Sequence, residues 1–143
     1  MKKVLLPVDG SDCALRAVSL VVSKRACYAD PDELEIHLVN VQAPFSHDVS
    51  RFFSREQIAD FHHEESEKLM AEARRILDAA GAKYTVHKEI GKVPERIAEL
   101  AESLRCDQIV MGTHGRGALV DLLMGSITLK VISLTNIPIL LVK

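Results

Sequence analysis

Asp107–Ser126 reads DQIVMGTHGRGALVDLLMGS, and the order of its parts decides the fold. Asp107–Met111 (DQIVM) is a short apolar run that reads as a strand. Gly112, Gly115 and Gly117 follow within six residues, and Gly125-Ser126 then opens a helix predicted to run to about Leu134. A strand that runs into glycines and then into a helix N-terminus is a building unit of parallel α/β sheets. Glycine costs backbone entropy, so three in six residues need a reason: a backbone forced into positive φ, or a ligand close to the main chain.

Outward from this stretch the chain alternates. Lys3–Val8 is an apolar run ending at the turn Asp9-Gly10, with Pro7 expected near the strand's end because it cannot donate to a ladder. Ser11 or Asp12 can cap the next helix, whose stripe is Ala14, Ala17, Val18, Val21 and Val22. After the turn Asp30-Pro31-Asp32, Leu34–Val41 alternates as a second strand, and Gln42–Phe53 reads as a loop. Ser54 and Gln57 have capping-box spacing at the start of the longest helix. Its expected stripe is Ile58, Phe61, Leu69, Ala73, Ile76 and Ala80, interrupted by Glu65, with Gly81 as the stop. Tyr84–Ile90 is the third strand, Pro94 starts a helix striped by Ile97, Leu100, Ala101 and Leu104, and Ile139–Val142 is the last strand. Four βα units and a final strand predict an α/β fold with a parallel sheet and helices on both faces. Ligands of such sheets sit beyond the carboxyl ends of the strands, in the loops Asp9–Ser11, Val41–Ala43, Gly91–Val93 and Gly112–Ser126.

Composition sets the outer limits. The 143 residues fit a single domain spanning 1–143, and 48% apolar residues supply its core. A net charge of −2 carries no basic excess, which argues against a nucleic-acid partner. The apolar run after Lys2-Lys3 stops at Asp9, too short for a signal peptide, and nothing approaches a membrane span, so a cytoplasmic protein is expected, with no membrane partner. Cys13, Cys27 and Cys106 are isolated, without the spacing of a disulfide framework or zinc site.

The glycine segment has the parts of an anion site. Amides freed by the turns can form a nest, the helix starting at Ser126 adds unpaired N–H groups, the hydroxyls of Ser126 and Thr128 can donate, and Arg116 supplies a fixed positive charge. Simple turns with Ser126 as a cap remain an alternative. GxxxxGKS/T and GxGxxG are both absent, so neither a P-loop nor a dinucleotide fingerprint applies. Asp9, at a strand end, can accept a bond from a hydroxyl or amine, help to hold Mg²⁺ through water, or cap the following helix. His114 is a candidate for a chemical role or a solvent-facing residue.

The spacing Gly112-x2-Gly115-x9-Gly125-Ser126 resembles the G-x2-G-x9-G-S/T signature of the ATP-binding branch of the universal stress protein family. VLLPVDGSDCALRA, QIVMGTHGRG, MGSITLKVI and NIPILLVK are similar to that family's first strand and turn, fourth-strand loop, following helix and terminal strand. The resemblance implies a five-stranded sheet in order 3-2-1-4-5, of the adenine-nucleotide-hydrolase-like kind, binding ATP or AMP, with Mg²⁺ accompanying the nucleotide. It implies that Pro7, Val8 and Asp9 lie at the adenosine end and that the backbone of Val41 meets the adenine. Met111, Gly112 and Gly115 would line the ribose and phosphates, and Gly125, Ser126, Ile127 and Thr128 the phosphates, with Arg116 and Gly117 adjacent. Asp121 and Leu129 depart from the residue types frequent in relatives, which bears on affinity rather than on the spacing.

No residue stands out as one that orients water, so a stress-linked binding protein, at most a slow ATPase, is expected. An ATP-hydrolysing or adenylating enzyme of related layout is one alternative, although Asp9-Gly10-Ser11-Asp12-Cys13 lacks the double glycine of an SGGxDS-like loop. A nucleotide-independent dimeric interaction module is another. Ile139–Val142 is apolar on both faces, and the resemblance makes it a sheet edge through which a homodimer would form.

Overall fold

The computed structural model describes residues 2–27, 29–116 and 124–143. Five parallel strands form one sheet: β1 (Lys3–Pro7), β2 (Glu35–Gln42), β3 (Tyr84–Ile90), β4 (Gln108–Gly112) and β5 (Ile139–Val142), in the expected order β3-β2-β1-β4-β5. The strands are linked by α1 (Asp12–Arg25), α3 (Arg55–Ala79), α4 (Val93–Ser103) and α5 (Ser126–Leu134). A four-residue helix α2 (His47–Ser50), capped by Ser46, lies within the segment expected to be a loop.

Alternation along the strands divides the core into two layers. Val4, Leu6, Ile36, Leu38 and Val110 pack with α1 and α3. Leu5, Val39, Ile109 and Met111 pack with Ile97 and Ala101 of α4 and Val131 of α5. Both faces of β1 are thus covered, which is why its sequence is continuously apolar rather than alternating.

The helix boundaries follow local chemistry. Ser11 caps α1 through a bond from Ala14 N, and Ser54 and Gln57 close a reciprocal capping box on α3. Gly81, just past α3, has φ +58°, the left-handed geometry of a helix stop.

The buried face of α3 differs from the expected stripe. It consists of His62, Ser66, Met70, Ala73 and Leu77, while Phe61 is 48% exposed. The first turns of α3 lie over the polar end of β2. The Gln42 amide donates to the His62 carbonyl at 2.8 Å and to Ser66 Oγ at 2.6 Å, and its oxygen pairs with His62 Nδ1 at 2.9 Å. Ser66 Oγ donates to Asn40 Oδ1, and the Asn40 amide donates to the Val8 carbonyl. Polar groups buried together satisfy one another, so this part of the helix hides polar residues and exposes Phe61.

Candidate functional site

β1 and β4 pair only at Val4–Gln108 and Leu5–Ile109, and beyond this pairing their carboxyl ends border a cleft open to solvent. Pro7, Val8, Asp9, Val41, Met111, Gly112, Gly115, Ile127 and Thr128 line it, all of them expected site residues. Val39, Val93, Ile97, Ala14, Ser11 and His114 complete the lining. Of the remaining expected residues, Gly125 and Ser126 form the N-terminus of α5, and Arg116 ends the described part of the loop. Gly117 and Asp121 lie outside the described residues.

The cleft has two chemically different ends. Val39 and Val41 project from the same face of β2, and with Val93, Ile97 and Met111 they make an apolar wall. Strand alternation relates Val39 to Val41, a signal present in the sequence. The contributions of Val93 and Ile97 depend on how α4 crosses the sheet.

The other end is built from backbone. Gly125 is the N-cap of α5 and offers no side-chain cap. The first helical amides, Ser126 to Thr128, therefore have neither an intrahelical acceptor nor a side-chain cap, and Ile127 and Thr128 line the cleft. Such a terminus favours an anion by about 0.3–1 kcal/mol when exposed. Ser126 is exposed and Ile127 is 40% exposed.

Asp9 joins these loops. Its carboxylate accepts the Ser11 amide on Oδ1 and the Arg116 amide on Oδ2, both at 3.0 Å. It is a clamp between the first loop and the glycine loop rather than the helix cap, a role Ser11 fills. Each carboxylate oxygen keeps further acceptor capacity, so Asp9 can still meet a ligand or a hydrated cation.

The glycines serve close packing, not unusual φ. Among the described residues, positive φ occurs at Gly10, Gly81, Gly91 and Arg105, and not at Gly112, Gly115 or Gly125. A Cβ on Gly115 would stand 2.7 Å from Asp9 Oδ2, and one on Gly112 would stand 2.6 Å from Cys13 Cβ. The first of the two sequence-based reasons is thus replaced by contact between protein segments.

Thr128 also differs from expectation. It is 2% exposed, and its hydroxyl points to the Gly112 and Thr113 carbonyls at 3.2 Å each. A hydroxyl has one proton, so it is committed to the end of β4, and the backbone amide of Thr128 is what it offers an anion. His114 is half-buried in the cleft lining, with Nδ1 3.0 Å from Thr113 Oγ1. Away from the cleft, burial pushes the Cys106 thiol up to about 11, so it is a protonated packing residue.

Architecture and cleft together define a parallel α/β domain with an amphipathic pocket at the strand ends. The profile of the Universal stress protein family matches residues 1–143, and the chain belongs to that family. Universal stress protein MJ0531 of Methanocaldococcus jannaschii is 32% identical over 142 residues, covering 99% of this chain and 82% of the relative. A solved structure of MJ0577 has a TM-score of 0.82 and 31% identity, covering 99% of this chain and 95% of that one. A universal stress protein solved in complex with cAMP has a TM-score of 0.71 and 25% identity, covering 99% of this chain and 97% of that one. Among the described residues, no helix is long and apolar enough to cross a membrane.

Proposed function

We propose that this universal stress protein binds an adenine nucleotide, ATP or AMP, in the cleft between β1 and β4. The observation that carries the reading is the cleft's polarity. One end is an apolar wall of Val39, Val41, Val93, Ile97 and Met111, suited to a base. The other is the N-terminus of α5, whose first amides no side chain caps, suited to phosphate. The similar protein solved with cAMP supports an adenosine phosphate as the ligand class. Mg²⁺ would accompany a polyphosphate, with Asp9 as the residue present to meet its water shell.

Binding is favoured over rapid hydrolysis because no side chain of the described cleft lining stands out as one that orients a water for attack. The protein would act as a nucleotide-responsive regulator in the stress response, in the cytoplasm, where its free Cys13, Cys27 and Cys106 suit a reducing environment. Two copies would associate through the edge strand β5, where Leu140 is 40% exposed.

Mass spectrometry of the protein purified under native conditions, followed by calorimetric titration with ATP and AMP, tests the reading. Stoichiometric retention of intact nucleotide is expected. Multiple turnovers of ATP within minutes would replace the binding protein by an enzyme, and no affinity for either nucleotide would remove the nucleotide altogether.

A further inference from the structure

Helix α3 packs against the turn Asp9-Gly10, whose Asp9 lines the cleft. Leu69 lies under the Asp9-Gly10 turn, with its Cδ2 3.4 Å from where a Cβ on Gly10 would be. Glu65 is one helical turn earlier, on the same side of α3 as Leu69. Its Oε1 is 3.8 Å from Nη1 of Arg116. Glu65 is the more enclosed partner, with its side chain 28% exposed against 57% for Arg116. The Arg116 backbone is held as well, because its amide donates to Asp9 Oδ2.

Arg116 therefore stands between two carboxylates. Asp9 holds its main chain and Glu65 faces its guanidinium. Arg116 follows the lining residue Gly115, so a phosphate chain that extends along this loop would meet a cation already opposed by a negative charge. To recruit Arg116 it must displace Glu65, and each added phosphate brings more negative charge toward the same carboxylate. A monophosphate, which reaches the amides at the start of α5, needs Arg116 less.

We propose that Glu65 is a specificity-determining residue that sets the balance between nucleoside triphosphate and monophosphate by holding Arg116 away from the phosphate chain. The proposal rests on the nucleotide-binding reading above. Glu65 acts through Arg116 and is a positioning residue.

The test compares ATP and AMP affinities by calorimetry, without divalent cations, for wild type, Glu65→Gln and Glu65→Ala. Circular dichroism verifies that α3 is intact in each variant. Both variants should raise the ATP-to-AMP affinity ratio about two- to fivefold, the scale of one partly exposed charge interaction, with AMP affinity unchanged within about 1.5-fold. In an Arg116→Gln background, Glu65→Gln should no longer change the ratio. A ratio unchanged in both single variants, or a gain that persists without Arg116, overturns the proposal. If wild type binds neither nucleotide, the underlying reading falls first and takes this one with it. If wild type binds both and the ratio stays fixed, only the role of Glu65 falls.

Discussion

Gly112, the last residue of β4, is packed directly against Cys13 in the first turn of α1: a Cβ at 112 would lie 2.6 Å from Cys13 Cβ, 2.8 Å from the Cys13 carbonyl carbon and 2.9 Å from Ala14 N. Two of those three atoms are backbone, so no rotamer change relieves the clash. Gly112→Ala should destabilise the fold by about 1–3 kcal/mol, the cost of overpacking a close-packed contact. Because Ala14 of α1 and its N-cap Ser11 line the cleft, nucleotide affinity should fall with it. Urea unfolding measures the first effect and calorimetry the second. An unfolding midpoint equal to wild type would show that α1 moves aside at no cost.

Ser126 and Thr128 separate the two tasks of the α5 N-terminus. Ser126 is exposed at the start of α5, next to the lining residue Ile127, whereas the Thr128 hydroxyl is buried against the Gly112 and Thr113 carbonyls. Ser126→Ala should lower nucleotide affinity while leaving stability within about 0.5 kcal/mol. Thr128→Val keeps the shape, removes the donor, and should cost about 1 kcal/mol of stability. Finding the larger stability loss at Ser126 would reverse the assignment.

The site was partly legible in the sequence, and the limits have physical causes. The x2 and x9 spacing located Gly112, Gly115 and Gly125 because a close approach of segments leaves a mark in residue type. It did not say what approaches. For Gly112 and Gly115 the neighbours are Cys13 and Asp9, residues about a hundred positions away that only the folded sheet brings near. β1, β4 and β5 were readable from apolar runs, and β2 and β3 from the alternation of Leu34–Val41 and Tyr84–Ile90. The α3 face was not, because the burial of His62 and Ser66 depends on Gln42 and Asn40 arriving opposite them. Helical spacing of apolar residues carries no information about a polar partner on another element.

The β5 edge offers a direct test of self-association. Leu140 is 40% exposed on the outermost strand, which pairs with β4 on one side only. Leu140→Lys places a charge on that surface without removing Ile139 and Leu141, which pack toward the core. Wild type should sediment as a dimer and the variant as a folded monomer. A variant that remains dimeric in sedimentation would move the interface elsewhere.

A pair of histidines joins β2 to β3 and should set a pH dependence of stability. His37, 5% exposed, places Nδ1 2.9 Å from His87 Nε2, and its Nε2 lies 2.9 Å from Glu35 Oε1. The hydrogen bond from His37, reinforced by Lys3, holds Glu35 below its ordinary value, so Glu35 remains a carboxylate acceptor. The neutral network then has His37 donating from Nε2 and His87 donating from Nε2 to His37 Nδ1. Burial lowers the His87 pKa, the nearby His37 lowers it further, and Glu89 opposes the shift. A histidine depressed in the folded state is protonated first in the unfolded chain, so protons favour unfolding. Its contribution is full above the unfolded value of about 6.5 and declines as pH falls from there toward the folded value. The wild-type urea midpoint should therefore drop between about pH 7.5 and pH 5.5 more than that of His87→Gln, which cannot titrate. Only the difference in slope is informative, because the substitution also removes the bond to His37 at every pH. Parallel pH profiles for the two proteins would mean that His87 titrates alike in the folded and unfolded chains.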